Sequence, residues 1–508
     1  MKIDLKNPTV STIVTFYLIA LFGYFPLAIA SYGGLTSFKM TNFILITVVA
    51  TVISVMTAFT RLAGKESFKF KDFIKNISVT VWFFIGFVIV QLVSALFSPY
   101  QGSGVWTVNG RCEGMLIQLL YTLVFLGVCA FARFDKFYIY LIAVILILMN
   151  VIAVVQLFGI NAFSLYPEGT MFTDKYFGVF YSTIGNIDML GGFYCVTVPI
   201  IAAGFVVFSH KLWQNALLLI AAAASVYVVI EINVSATLLA FAALCALTFP
   251  LYVVKGKINK LFGLCSVVFA SCALAFICDR TPNADNTAAD LTFTLSNAVY
   301  ILMALGVVCA VISILVKFVH IKVKPRTILL TLYIAEILVV LFIFIYIKYI
   351  MQIDDNTNDL LREISNFMNG NITMHSGSRR IAIWSCSVMV LEKYPILGVG
   401  PGVFADAFSD IAGETYKQYS SLAVDMAHNE YLQIACSYGI IGLIAYLGFI
   451  GSLIFRALRR FFKNDIIKVL LPAVICYTVQ AFFSFSIVFV FPIFMAISAL
   501  LESEIRNS

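Results

Sequence analysis

Charged residues are scarce in this chain. Asp, Glu, Lys and Arg together make up 12% of the 508 residues, whereas a typical soluble domain has roughly 25%. Hydrophobic residues account for 61% of the sequence, and the mean hydropathy is +0.99. So few charges would leave a soluble surface poorly hydrated, and the composition therefore predicts an integral membrane protein.

Histidine and paired cysteine are also scarce. The chain has four histidines, and its eleven cysteines form no CxxC pair. Most of the cysteines lie inside apolar runs, where we expect them to act as small core residues. Without residues at metal-ligand spacing, a zinc site and a disulfide framework are both disfavoured. We predict neither a metal nor a cofactor.

Apolar runs long enough to cross the membrane are abundant. A helix of about 20 residues spans the hydrocarbon core, and runs of this length recur from Val10 to Leu501. They lack the two-residue alternation of barrel strands, so we predict an all-α polytopic membrane protein with about 12–14 transmembrane helices. The last two runs are short enough to form one re-entrant hairpin instead. The expected spans are 10–31, 40–58, 77–97, 115–132, 138–157, 189–208, 214–231, 236–254, 261–278, 293–316, 327–349, 431–453, 469–485 and 487–501.

The basic residues predict the orientation. Short translocated loops are poor in Lys and Arg, and a cytoplasmic N-terminus puts 23 of the 33 basic residues on the cytoplasmic side. We therefore predict that both termini are cytoplasmic. The net charge of +7 then reflects topology, and we expect no nucleic-acid partner. The first run lacks a small-residue cleavage site, so we interpret it as an anchor rather than a signal peptide.

One long segment interrupts the short turns. We predict N-terminal transmembrane helices in residues 1–349 and C-terminal transmembrane helices in residues 431–508. Between them, residues 350–430 form one large external loop. A loop of this length usually has a function. It opens on a polar, acidic lead that is typical of solvated helix and turn.

The middle of this loop predicts an amphipathic helix at the membrane surface. Ser376 or Ser378 is the expected N-cap, and Pro395 ends the pattern. The apolar positions are Ile381, Trp384, Val388 and Leu391. Their spacing of three and four residues places them on one face of a helix.

An arginine pair, Arg379 and Arg380, falls in the first turn of that helix. Cations are unfavourable there because the helix dipole already presents partial positive charge. We interpret the pair as part of an anion site, since the arginine fork matches phosphate oxygens. The alternative is that the pair anchors the loop to lipid head groups.

Two further features follow in the loop. The sequence "GVGPGVF", from Gly398 to Phe404, follows no buried strand, so we interpret it as a tight turn rather than a nucleotide-binding fingerprint. His428 lies where the next apolar run begins, with Asn429 beside it. A histidine there is a candidate proton acceptor, although an interfacial histidine without a catalytic role is the alternative.

These motifs carry a family resemblance. The arrangement of arginine, tryptophan, glycines and histidine in the loop closely resembles that of the O-antigen ligase and polymerase superfamily. Two upstream stretches are similar to further elements of that family: "NGRCEGMLIQLLY" around Arg111 and "STIGNIDMLGG" around Gly185. Members often carry a Ser-Arg pair after the seventh span, where this chain has Ser235 without an arginine. The resemblance covers residues 100–445. Its positions in the loop and the next span are Arg379, Trp384, Pro395, Gly398, Gly400, Gly402, His428, Asn429, Gly439 and Gly442.

The resemblance implies a fold similar to C-type membrane glycosyltransferases and a site on the outer face of the bacterial cytoplasmic membrane. Its reaction would move an oligosaccharide from an undecaprenyl-diphosphate carrier to an acceptor hydroxyl, without metal or nucleotide sugar. Our hypothesis makes His428 the base and Arg379, Arg380 and Arg111 the diphosphate ligands. The expected supporting residues are Asn429, Asp425, Trp384, Gly400 and Gly402.

Two questions stay open at this point. A ligase would attach the glycan to a lipid or protein, whereas a polymerase would attach it to the next lipid-linked repeat, and the donor chemistry is the same. The alternative class is a transporter or flippase of lipid-linked saccharides. The chain shows no internal repeat of the kind that coupled transporters use, and Glu231, the acid that we considered as a coupling group, falls at a predicted helix end.

Overall fold

The computed structural model describes most of the chain. The described residues are 9–30, 34–62, 77–107, 113–165, 182–254, 257–282, 289–293, 295–318, 325–349 and 359–508. Arg111 lies outside these ranges.

The described residues of the first half of the chain form nine long helices, joined by short connections or by residues outside the described ranges. A π-helical turn at Ala20–Tyr24 interrupts the first of them. In chain order the helices are α1 (Val10–Leu27), α2 (Leu35–Leu62), α3 (Val79–Leu96), α4 (Met115–Phe131), α5 (Phe137–Leu157), α6 (Ile187–Phe208), α7 (Leu212–Ile232), α8 (Ser235–Val254) and α9 (Ile258–Ile277).

Where the structure describes the second half, it contains eight helices and a hairpin. Strands β1 (Cys278–Pro282) and β2 (Ala289–Phe293) pair antiparallel; this hairpin was not predicted from the sequence. The helices are α10 (Asn297–Leu315), α11 (Pro325–Tyr349), α12 (Asp359–Met368), α13 (Arg380–Lys393), α14 (Phe404–Lys417), α15 (Glu430–Arg460), α16 (Asp465–Gln480) and α17 (Phe491–Asn507).

The all-α polytopic class is confirmed. Among the described residues, eleven helices are long and apolar enough to cross a membrane, and α4 is a shorter apolar helix of 17 residues. Every predicted span coincides with a helix, including the last two runs. Those two are separate short helices, α16 and α17, with 16 and 17 residues.

Burial separates central from peripheral helices. Nearly every residue of α6 is buried, and it packs against α5, α7, α8 and α16. By contrast, α11 exposes large apolar side chains along its length, such as Leu338 and Phe342. In a bilayer such side chains contact lipid, which is as apolar as they are.

Polar groups inside the bundle are paired with one another. The Tyr194 hydroxyl donates to Asn150 Oδ1 at 2.6 Å, and Asn150 Nδ2 donates to Ser225 Oγ at 3.0 Å. All three side chains are buried. This chain of bonds joins α5, α6 and α7 where no water is available to satisfy polar groups.

The two ends of the bundle carry different elements. The beginnings of α1 and α3 and the ends of α4, α15 and α17 surround one cavity at one face. At the other face, the end of α3 contacts the segment after α13, where the Ser98 hydroxyl donates to the Val399 carbonyl. The charge distribution predicts that the first face is cytoplasmic.

Candidate active site

The described part of the segment between α11 and α15 contains three helices, of which α13 and α14 pack against each other. The sequence analysis did not predict α14. The buried positions of α14 are Phe404, Ala407, Phe408, Ala412 and Tyr416. Their recurrence every three to four residues is the signal that would have identified this helix.

Helix α13 exists where it was expected, but two details were wrong. Its N-cap is Arg379, in a left-handed conformation with φ of 71°, and neither Ser376 nor Ser378 caps it. The predicted stripe is not the buried face either, because Val388 is exposed. The buried residues are Ala382, Ile383, Cys386, Ser387 and Val390. Small side chains make this close packing, so hydropathy alone did not identify the face.

Helix α15 is broken near its outer end. Gly439 has φ of 69° and ψ of −176° inside the helix. The break frees backbone groups, and the strand-like segment after α13 satisfies them. Val399 N donates to the Cys436 carbonyl at 2.9 Å, and Gly400 N donates to the Ser437 carbonyl at 2.8 Å. The backbone of the segment after α13 therefore crosses the backbone of α15 at this point, and the carbonyls of Cys436 and Ser437 are both paired.

Two glycines permit this crossing. A Cβ on Gly439 would lie 2.0 Å from the Ile396 carbonyl oxygen, and one on Gly400, which has φ of 105°, would lie 2.8 Å from Ser98 Oγ. A Cβ on Gly402, which has φ of 74°, would lie 3.0 Å from the backbone nitrogen of Gly114. Only glycine combines positive φ with such close approach.

His428 lies immediately before α15. Its backbone is left-handed, with φ of 50°, and its ring meets Phe485 edge-on, with 5.0 Å between the ring centroids. The next residue, Asn429, is the N-cap of α15, and its side-chain oxygen accepts from Leu432 N at 3.1 Å. A cap of this kind stabilises the helix start and thereby fixes the backbone that carries the histidine.

Trp384 reaches the same aromatic segment from α13. Its ring lies 5.8 Å from Phe482 and 6.3 Å from Phe483. Trp384 and His428 therefore both contact residues 482–485, the connection between α16 and α17. The indole Nε1 of Trp384 is buried and has no hydrogen-bond partner in the described part of the chain.

The arginine pair lies at the start of α13. Arg379 is exposed, and its Nη1 donates to Ser420 Oγ at 3.1 Å. Arg380 is the first helical residue and is half-buried. Ser420 belongs to the stretch that leads into His428, so this bond ties the arginine pair to that stretch. The third predicted diphosphate ligand, Arg111, lies outside the described residues.

Glu113 is a site residue that the sequence analysis missed. Burial raises the pKa of its carboxyl to about 8, with a further contribution from the negative charges of Glu430 and Asp425. At neutral pH the group is therefore largely protonated, and it can donate a hydrogen bond. Asp425 was expected to support His428, and its influence on Glu113 places it near this carboxyl.

Glu430 takes a different role from the one considered for it. It is fully buried, and its two oxygens accept hydrogen bonds from Tyr446 at 2.5 Å and Tyr477 at 2.8 Å. Because both carboxylate oxygens of Glu430 accept from these tyrosines, we do not assign Glu430 the role of orienting His428. The acid thus joins the start of α15 to α16.

A small polar cavity lies beside these acids. Its volume is about 20 Å³, and its polar lining includes Glu113, Gln91, Gln118, Gln433 and Ser437. A cavity of this size holds about one water-sized group. Gln433 Oε1 accepts from Ala427 N at 2.8 Å, whereas its Nε2 is buried without a partner in the described part of the chain. A hydroxyl entering here would meet an amide donor and a neutral acid.

No metal centre accompanies this cavity within the described ranges. No group of three His, Cys, Asp or Glu side chains there is placed to hold a metal ion.

The fold and this site define a multi-pass α-helical membrane protein whose candidate site is built on a broken helix and the segment before it. Residues 287–447, about a third of the chain, match a family model described as O-antigen ligase. No curated protein matches the sequence. The match contains every predicted site residue except Arg111 and supports a glycan ligase or polymerase kind of function, with glycosyltransferase-like activity.

Proposed function

We propose that the protein transfers an oligosaccharide from a polyprenyl-diphosphate carrier to an acceptor hydroxyl at the outer face of the cytoplasmic membrane. The observation that carries this proposal is the placement of His428 at the capped start of broken helix α15, beside the aromatic segment that Trp384 also contacts. His428 and Trp384 lie inside the O-antigen ligase match, and the aromatic segment 482–485 follows it in the chain. The family implies a lipid-linked donor and a glycan acceptor in general.

The reaction is a single displacement at the anomeric carbon. The acceptor oxygen forms the new bond to that carbon as His428 takes its proton, and the bond from carbon to the diphosphate oxygen breaks. Inversion at the anomeric carbon follows from this geometry. The diphosphate leaves on the carrier lipid with an additional negative charge, which Arg379, Arg380 and Arg111 neutralise. No metal ion is needed in this scheme.

The aromatic surface suits a carbohydrate. Trp384, Phe482 and Phe483 present ring faces and one buried indole N–H. Apolar ring faces pack against the C–H faces of sugars, while the unpaired N–H is available to a sugar oxygen. We assign this surface to the sugar next to the scissile bond.

The direct experiment uses the purified full-length protein in lipid with a labelled undecaprenyl-diphosphate oligosaccharide. Release of the carrier is measured with candidate acceptors present. We expect His428→Ala to abolish release while donor binding is kept, since a base acts mainly in the transition state. His428→Asn should behave in the same way, and asparagine tolerates left-handed backbone.

His375 provides the matched control. It is an exposed histidine in the same segment, with its ring 6.4 Å from Tyr419, and His375→Ala should leave carrier release unchanged. Loss of donor binding in His428→Ala would instead make His428 a diphosphate ligand. Undiminished release in both His428 variants would remove it from the mechanism. Movement of intact donor across the membrane without release would favour a flippase.

The acceptor decides between ligase and polymerase. Candidate acceptors are a second lipid-linked repeat, a lipid-anchored core saccharide and a protein hydroxyl. A product that grows on the carrier identifies a polymerase, whereas a product joined to one of the other acceptors identifies a ligase.

A further inference from the structure

A large arginine-lined cavity lies at the face opposite the candidate active site. Its volume is about 870 Å³, within the range of ligand pockets. Four arginines and one aspartate line it, so the charged lining is strongly positive. They are Arg133, Arg456, Arg460, Arg506 and Asp135. We call this cavity the arginine pocket.

Two of the four pocket arginines already form hydrogen bonds within the protein. Arg456 Nη1 donates to both oxygens of Glu502, at 2.8 and 2.6 Å, and Glu502 is fully buried. Arg506 Nη2 donates to the Cys129 carbonyl. These bonds hold two guanidinium groups at the wall of the pocket.

Arg460 differs from these two arginines. Its Nη1 atom is buried and has no hydrogen-bond partner in the described part of the chain. A buried donor without a partner is costly, more so when it is charged. An anion in the pocket would remove that cost.

Helix ends of both kinds surround the pocket. Ser78, which lines the pocket, is the N-cap of α3, and Ser11 lies in the first turn of α1. The C-terminal ends of α4, α15 and α17 lie there as well, and their partial negative charge opposes that of the helix starts. The positive charge of the pocket therefore comes from the arginine side chains.

An apolar groove continues from the pocket into the bundle. It lies between α1, α2 and α4 and has a volume of about 190 Å³. Phe131 lines both cavities. Other groove residues are Val14, Tyr17, Val55, Leu123 and Gly127. A positive pocket that opens onto an apolar groove matches a molecule with an anionic head and a hydrocarbon tail.

We propose that the arginine pocket and this groove bind one anionic phospholipid. The phosphodiester lies among Arg133, Arg460 and Arg506, and one acyl chain lies in the groove. Basic pockets between transmembrane helices recognise anionic head groups in this way. The site is separate from the proposed glycan transfer, because it lies at the other end of the bundle.

The test is a lipid-binding titration of the purified full-length protein, with phosphatidylglycerol, phosphatidylcholine and inorganic phosphate as probes. Phosphatidylglycerol should bind more tightly than phosphatidylcholine. Each pocket arginine should contribute about fivefold in affinity, so Arg133→Gln combined with Arg460→Gln should weaken phosphatidylglycerol binding by about 25-fold. If the unmodified protein bound phosphatidylglycerol and phosphatidylcholine with equal affinity, the proposal would be overturned, regardless of the results for the variants.

Arg459 is the matched charge control. It neighbours Arg460, but its guanidinium lies over the Phe455 ring at 4.4 Å and does not line the pocket. Arg459→Gln should leave phosphatidylglycerol affinity nearly unchanged. A loss equal to that of the double variant would indicate general surface attraction and contradict a defined site.

Gly127 tests the groove without changing charge. A Cβ at Gly127 meets nothing within 4 Å, so Gly127→Leu fills open space in the groove. This variant should weaken phosphatidylglycerol binding. Gly86→Leu in α3 is the control, because it also has open space and does not line the groove. An unchanged lipid affinity in Gly127→Leu, with inorganic phosphate binding lost in the arginine double variant, would show that the pocket binds phosphate without an acyl chain in the groove, and would contradict the proposed lipid site.

Discussion

Glu113 and His428 show how single residues acquire properties from distant parts of the chain. The Glu113 carboxyl responds to the charges of Asp425 and Glu430, more than 300 positions later in the sequence. His428 contacts Phe485, and two helices, α15 and α16, lie between these residues in the chain. The chemistry at each position thus depends on how α15 and its neighbours are arranged.

The pKa of Glu113 predicts a pH dependence of stability. This pKa is about 8 in the folded protein, against 4.5 for an unperturbed glutamate, so between these values the unfolded chain releases a proton that the folded chain retains. Stability should therefore fall as pH rises through this window. Glu113→Gln removes this loss, and its melting temperature should exceed that of the unmodified protein by several degrees at pH 9, with the difference shrinking towards pH 4.5.

Thermal unfolding in detergent at a series of pH values measures this difference. Asp406→Asn is the control, since this acid lies in the first turn of α14 and outside the polar cavity. A melting-temperature difference between Glu113→Gln and the unmodified protein that does not vary with pH would contradict a raised pKa.

The arginine pair gives a second prediction at this scale. If Arg380 binds the diphosphate, Arg380→Lys should lose about tenfold or more in carrier release, because an ammonium cannot reproduce a two-point contact with phosphate oxygens. The measurement is the carrier-release assay. Equal turnover by lysine variants at both Arg379 and Arg380 would favour the lipid-anchoring interpretation.

At the level of elements, the break in α15 determines the position of the segment after α13. Gly439 is the residue on which the crossing depends, because its Cβ would meet the Ile396 carbonyl oxygen at 2.0 Å. Gly439→Ala should destabilise the protein by roughly 2–4 kcal/mol through strain and displacement of backbone.

Gly451 is the matched control for this prediction. It lies in the same helix with nothing within 4 Å of an added Cβ, so Gly451→Ala should be neutral or stabilise by up to about 1 kcal/mol. Both effects are measured by denaturation in the same detergent. Equal stability of the two alanine variants would show that the break does not depend on glycine.

The sequence allowed the long helices to be predicted, because lipid requires continuous apolar runs and leaves few alternatives. It did not allow the break in α15 to be predicted, since glycine is common in transmembrane helices. The buried face of α13 was missed because Ala382 and Cys386 are buried by size rather than by hydropathy. His428 was identified as a candidate because its position at a helix start is local, whereas Glu113 depends on long-range contacts.

At the scale of the whole molecule, the alternation of helix direction gives a topology prediction. Thr415 in α14 is partly exposed, and Lys463 after α15 is exposed. A membrane-impermeant thiol reagent applied to intact cells should label Thr415→Cys and miss Lys463→Cys. The unmodified protein measures background from native cysteines. Labelling of position 463 from outside would reverse the orientation and place the candidate active site in the cytoplasm.

The crossing of α15 by residues 395–400 also bears on how this architecture can diversify. Its hydrogen bonds join main-chain atoms, so they do not depend on the identity of most side chains at the crossing. Substitutions on the exposed surface of the segment between α11 and α15 can therefore accumulate without moving the backbone that leads into His428. We expect specificity for the recipient of the glycan to evolve through that surface, while the glycines of the crossing remain fixed by geometry.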